Sequence, residues 1–215
     1  MASLGIAMGD SIERFPLFPL GLVLLPEEPQ PLHIFEERYK TMVETCLESE
    51  TEFGILWMGD HGLQEIGCTA EITQLLERAD DGRLNILVQG SQPFRLERRI
   101  DDMEYPAGDI ELLDEEEDEI EPDPEVAEAA RRGYADLVER VTDSRPSEGD
   151  LSELSAYGMA ATIAFELDAK QELLELRSES ERLSRLASLC EQAMERLQYA
   201  EKAADRARTN GRVHH

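Results

Sequence analysis

The sequence predicts an α+β protein, a β-rich first domain followed by a bundle of α-helices. Three observations lead there. Short apolar runs separated by turn residues recur at regular spacing between residues 53 and 113. An acidic, proline-broken run, DEEEDEIEPDPE at 114–125, then interrupts the pattern. From Pro124 onward apolar residues return at helical spacing, so the period has changed from that of strands to that of helices. The domain boundaries expected from this are 13–113 for the β-rich part, 114–125 for a linker and 126–208 for the helical bundle.

Taken in order, residues 15–25 are apolar but punctuated by Pro16 and Pro19. Proline has no backbone donor, so this segment is expected as an edge strand or extended arm. Pro26, Pro29 and Pro31 make a rigid, non-helical corner. From His33 the residues Ile34, Phe35, Tyr39, Met42, Val43 and Cys46 recur at helical spacing and predict a short amphipathic helix. Phe53–Met58 reads as a buried strand, and Ile66, Cys68, Ala70 and Ile72 alternate with Gly67, Thr69, Glu71 and Thr73 as in a half-buried one. Asp80-Asp81-Gly82 supplies hairpin chemistry before a return strand at Leu84–Val88. Gly90-Ser91-Gln92-Pro93 predicts another turn, with further strands at Phe94–Ile100 and Tyr105–Leu113.

In the helical part, Asp123-Pro124 offers an N-cap and a first-turn proline. A second helix is expected after Ser147 or Asp150, running through Leu154, Tyr157, Ala161 and Phe165. Asp168 with Gln171, and Ser178 with Glu181, have the spacing of capping boxes. The last helix sets Leu183, Leu186, Cys190, Ala193 and Leu197 in a seam of alternating steps. That seam is expected to pack within a four-helix bundle, or alternatively to make a homodimer.

Charge restricts the partners. The formal net charge is −27, with 41% hydrophobic and 32% charged residues. Nucleic acid and anionic membrane surfaces both demand positive patches, so neither is expected as a partner. Residues 1–113 carry 8 basic and 22 acidic side chains, and 114–125 nine acids with no base. The run 114–125 lacks the turning glycine of a calcium loop, so a solvated linker is expected and no metal site. Cys46, Cys68 and Cys190 are odd in number and widely spaced, which predicts free buried thiols and suits a reducing cytoplasm. No signal peptide is expected from MASLGIAMGDSIE, nor a membrane span from any apolar run.

The sequence carries no phosphate-cradling GxxxxGK[ST], no GxGxxG and no GxSxG. Lys40, Lys170 and Lys202 fall on charged helical faces, so none is expected in the desolvated setting of an activated amine. No enzymatic activity and no cofactor are therefore expected. His33 is a candidate contact residue, or a side chain that bonds the backbone of the proline corner. Arg38 is a second candidate, with Glu36 as an ion-pair partner. Trp57, the single tryptophan, is either core or the anchor of a recognition surface. Arg95, Arg98 and Arg99 form the one basic cluster of the β part and are expected as a strand edge neutralised by Glu97, Asp101, Asp102 and Glu104.

One set of motifs is more specific. Phe15-Pro16-Leu17-Phe18-Pro19-Leu20, Val23-Leu24-Leu25-Pro26 and Pro31-Leu32-His33-Ile34-Phe35-Glu36, with Arg38-Tyr39 and Met42, resemble the opening of the Lon protease N-terminal substrate-binding domain. The likeness continues through Phe53-Gly54, Gly67–Ile72, Asp81-Gly82-Arg83, Gly90, Phe94-Arg95 and Tyr105-Pro106. Leu25, Glu37 and Pro93 depart from the residues the family commonly has there. The resemblance implies a PUA-like β pseudo-barrel with one or two short helices, followed by a helical region. It also implies a non-enzymatic module that binds unfolded or extended polypeptide, a standalone adaptor or regulator in protein quality control. The candidate polypeptide-contact residues are His33, Arg38 and Trp57. The alternative that the fold leaves open is a PUA-like RNA-binding protein, which the charge disfavours.

Overall fold

The structure, a computed structural model, describes residues 10–115 and 122–210, with the side chains of 205 and 207–210 left aside. Half of the predicted linker, 116–121, lies outside the described residues. The chain forms two compact units. The first holds the described residues up to 115 together with Tyr157–Arg177, and the second holds the described residues from 122 to Ala156 and from Ser178 onward.

The first unit is a sheet closed on itself. Its strands are β1 (Ser11–Leu20), β2 (Pro29–Ile34), β3 (Phe53–Gly59), β4 (Gly62–Leu63), β5 (Ile66–Arg78), β6 (Leu84–Ile100) and β7 (Ala107–Leu112). The order runs β1-β7-β6-β5-β3, and β3 pairs back onto β1 in parallel, closing a near-barrel ring. Closure corrects the expectation that β1 is an edge strand. The Ser11–Pro16 half pairs with β7 and Leu17–Leu20 with β3, so Pro16 lies opposite Ala107 and Pro19 opposite Leu56. A proline in such a strand never needs to donate on two sides.

Strand β6 is one continuous element of 17 residues, where the sequence predicted two strands and a turn. Gly90 is what misled. A Cβ there would stand 2.0 Å from the Leu25 carbonyl oxygen, so this glycine lets the proline corner cross the strand and does not turn it. The crossing is fastened by Glu27 N–H to Gly90 O and Gly90 N–H to Glu28 O. The predicted hairpin at Asp80-Asp81-Gly82 is present, with Gly82 at φ +79. His33 belongs to β2, and helix α1 begins only at Glu37, running to Ser49. The proline-rich lead-in keeps the backbone extended two residues further than the apolar spacing suggested.

Phe15, Leu17, Leu56, Phe94 and Ile110 form a buried cluster inside the ring, with Phe15 and Phe94 edge to face at 6.3 Å. Beside it, Phe18 packs on Tyr39 of α1 at 4.1 Å and on Phe53 at 6.2 Å, which holds the helix on the sheet. Helices α4 (Ala156–Ala161) and α5 (Leu167–Glu175) belong with this sheet. Gln171 Nε2 donates to Ile66 O at 3.1 Å, and Lys170 pairs with Glu28. A single four-helix bundle over 126–208 is therefore not what forms.

In the second unit α2 (Pro124–Thr142) packs against α6 (Glu179–Asn210), with the short α3 (Glu148–Glu153) beside α2. Ala130, Tyr134 and Leu137 of α2 are buried, as are Leu183, Leu186 and Cys190 of α6. A Cβ at Gly133 would lie 3.3 Å from Cys190 Cβ, so the helices approach closely there. The predicted caps hold at three places: Asp123 accepts from Glu125 N–H, Ser147 from Asp150 N–H and Ser178 from Glu181 N–H. Asp168 is not the cap; the N-cap of α5 is Glu166, two residues earlier, and Asp168 lies in the first turn. The single helix expected after Ser147 or Asp150 and running through Leu154, Tyr157, Ala161 and Phe165 is instead two short ones, α3 and α4, parted at Leu154, whose backbone is extended.

Candidate functional site

The three strands β2, β6 and β5 form a limb that carries His33, the first of the candidate residues. Along β6, Asn85 pairs with His33 of β2 on one side and with Glu77 of β5 on the other. The side chains follow the backbone register. His33 Nδ1 lies 2.6 Å from Asn85 Oδ1, and Asn85 Nδ2 donates to Glu77 Oε2 at 2.7 Å. His33 thus bonds a neighbouring strand, not the corner backbone, and its ring stacks on Phe35 with centroids 5.9 Å apart. Phe35 was predicted on the apolar face of the helix. It lies before α1 and is 60% exposed.

Arg38, in the first turn of α1, pairs with Glu36 at 2.9 Å and lies over the Tyr39 ring at 4.6 Å. The structure therefore places His33 and Arg38 at the two ends of one short connection with Phe35 between them. Trp57 is elsewhere, half-buried on β3 in register with Leu20 of β1. Its ring lies over Gly59, where a Cβ would come within 3.1 Å. The neighbouring Met58 is exposed.

Residues that the sequence reading passed over complete the limb. Leu75 and Leu76 on β5 are 39% and 50% exposed. Their signal was visible as a break in alternation, two leucines between Thr73-Gln74 and Glu77-Arg78, and the register shifts that accompany it lie between Ile72 and Gln74 and between Leu75 and Glu77. Arg78 reaches Glu44 of α1 at 2.5 Å. Lys40 of α1 bonds Glu37 at 2.9 Å and the Asp81 carbonyl at 3.3 Å, pinning the helix to the β5–β6 turn.

Lys40 and Lys170 are both 9% exposed, which corrects their expected place on solvated faces. Each is engaged by a carboxylate, Lys40 by Glu37 and Lys170 by Glu28, so both ammonium groups sit in ion pairs. All three cysteines are buried and free, and burial pushes the thiols up, Cys190 to about 12. A thiol so protonated is inert at neutral pH. The arginine cluster is not a strand edge: Arg95 and Arg98 project from β6 and pair with Glu111 and Asp109 of β7, at 3.0 and 2.5 Å. The Arg14 backbone amide and the Arg98 guanidinium hold the Asp109 carboxyl below its usual range. No group of three or more metal-ligating side chains occurs among the described residues, and none of their helices is long and apolar enough to cross a membrane.

Comparison with known proteins agrees with this geometry. The chain is 26% identical to Lon protease 1 of Syntrophobacter fumaroxidans and 26% identical to the Lon protease of Escherichia coli, over 93% and 91% of its own length. It spans only about a quarter of those relatives, 26% and 27% of their chains. Among solved structures, a Lon N-terminal domain protein from Xanthomonas campestris superposes with a TM-score of 0.64 at 24% identity, covering 82% of this chain and 98% of that one. The N-terminal domain of a Mycobacterium avium complex Lon protease gives 0.61 at 16% identity, with 85% and 98% covered. These two likenesses establish the fold. The model of the ATP-dependent protease La (LON) substrate-binding domain matches residues 14–192, and the chain belongs to that family.

Proposed function

We propose that the chain is a non-enzymatic module that captures unfolded or extended polypeptide, acting in the cytoplasm as an adaptor or regulator of protein quality control. The observation that carries this reading is the apolar surface of the limb. Phe35, Leu75 and Leu76 stand in water on a protein whose surface is otherwise heavily charged. They lie at separate places on the limb, Phe35 stacked on His33 and Leu75 in register with the buried Ile86. Each is a candidate contact point, because burial of such a side chain by a partner is worth about 1.5–3 kcal/mol. His33 and Arg38 flank Phe35 and supply polar contacts to a bound chain; Trp57 and Met58 offer a separate contact point on β3. The family's description as a substrate-binding domain supports the reading.

The test is capture of reduced, alkylated lysozyme, a cationic unfolded chain, with native lysozyme and single-stranded RNA as comparisons. Selective retention of the unfolded protein, weakened about tenfold or more by Phe35→Ser, is expected. Equal retention of native and unfolded lysozyme, or retention of RNA alone, overturns the reading.

A further inference from the structure

The limb has two outer edges, and they differ. On β2 the edge is spoiled by Pro29 and Pro31, which remove two backbone donors from a six-residue strand. On β5 it is open. Strand β6 pairs with β5 along most of its length, but β3 pairs only with Cys68, Thr69 and Ala70. Among the described residues no strand pairs with the outer edge of 71–78, and all of these eight but Ile72 are exposed. At about 3.3 Å per residue this is ~26 Å of unpartnered strand. An open edge carrying exposed leucines is a liability that folded proteins ordinarily blunt. The register shifts at 72–74 and 75–77 blunt it only against a copy of itself, since two identical irregular edges do not match; a flexible chain can follow the irregularity.

The charge around this edge is predominantly acidic, with Arg83 within electrostatic range of Glu77. Glu71 and Glu77 lie on the strand, while Glu44 and Glu48 lie on α1, and the one arginine of the strand, Arg78, is already paired with Glu44. Glu52 directly precedes the last β3 residue in the ladder, so it joins Glu71 where the β3–β5 pairing ends.

We propose that residues 71–78 of β5 accept a captured polypeptide as an additional strand, and that the edge selects extended segments in which apolar residues alternate with lysine or arginine. Backbone hydrogen bonds then supply sequence-tolerant affinity, Leu75 and Leu76 take the apolar positions, and the carboxylates take the cationic ones. This rests on the polypeptide-binding reading above and specifies its mode.

The experiment uses the full chain with a capped (Val-Lys)5 peptide, the same peptide N-methylated at alternate residues, and (Val-Glu)5. Hydrogen exchange is followed by mass spectrometry, with unfolded lysozyme as a parallel ligand. The expected result is at least tenfold slower exchange at 71–78 with (Val-Lys)5 and with unfolded lysozyme, and at least tenfold weaker binding of the N-methylated and acidic peptides. Binding of the N-methylated peptide at equal strength, or protection that avoids 71–78, overturns strand addition. If unfolded lysozyme is captured without protecting 71–78, strand addition fails and the polypeptide-binding reading survives; if neither ligand is captured, both fall.

Discussion

The Lys170 ammonium lies 2.6 and 2.7 Å from the two carboxylate oxygens of Glu28, across 142 residues of chain, with 11% and 12% of the two side chains exposed. One oxygen of the same carboxylate also accepts the Leu25 N–H at 2.9 Å. The pair therefore ties α5 to the proline corner, and the corner in turn crosses β6 at Gly90. Removing one member of a buried pair leaves an uncompensated charge and costs about 3–5 kcal/mol. Lys170→Met is expected to lower stability by about 3 kcal/mol in urea unfolding. Adding Glu28→Gln, which keeps an acceptor for Leu25, is expected to restore much of it. A loss below ~0.5 kcal/mol for Lys170→Met would remove the pair from the forces holding α5.

Gly90 gives a second prediction. A methyl group 2.0 Å from the Leu25 carbonyl oxygen cannot be accommodated unless the corner lifts off β6. Gly90→Ala is expected to destabilise by about 3 kcal/mol or more, at the upper end for a single substitution. Gly21→Ala, with nothing within 4 Å of its added carbon, is the matched control and is expected to be within ~0.5 kcal/mol of the parent. Thermal melts of the two variants decide it.

The thiols make a third. Burial raises the Cys46, Cys68 and Cys190 thiols above their ordinary value of 9.0, so the folded chain holds these protons more tightly than the unfolded one. Their contribution to stability is complete below pH 9 and is lost as pH rises through that value toward the folded pKa of about 12 at Cys190. Unfolding midpoints measured from pH 8 to 10.5 are expected to fall for the parent and to fall less for Cys190→Ala. A thiol reagent at pH 8 is expected to label none of the three in the native protein and all three in guanidinium.

What local sequence could reveal follows from how far each feature reaches. The Asp123, Ser147 and Ser178 caps and the Asp81-Gly82 turn each depend on a few adjacent residues, and they were legible. Gly90 looks like part of a turn in isolation, and only the corner lying across β6 explains why it sits in the middle of a strand. The return of α5 to the sheet depends on Lys170 meeting Glu28 and Gln171 meeting Ile66, contacts with no local trace. Of the site, His33 and Arg38 were legible as polar residues near a corner. Phe35 was not, because apolar spacing alone cannot tell the last residue before a helix from the first one on its buried face.

A fourth prediction separates the two forces expected to act on a captured chain. Attraction between the acidic limb and a cationic polypeptide is screened as salt shortens the Debye length from about 10 Å at 0.1 M to about 3 Å at 1 M. Burial of Phe35 is indifferent to that screening. Affinity for unfolded lysozyme, measured by fluorescence anisotropy, is expected to fall several-fold between these salt concentrations without vanishing. Phe35→Ser is expected to cost the same factor, about tenfold or more, at both. If high salt abolished capture, charge alone would be holding the ligand. If the Phe35→Ser penalty disappeared in high salt, Phe35 would be acting through its charged neighbour Arg38, and the apolar surface would lose its place as the recognition element.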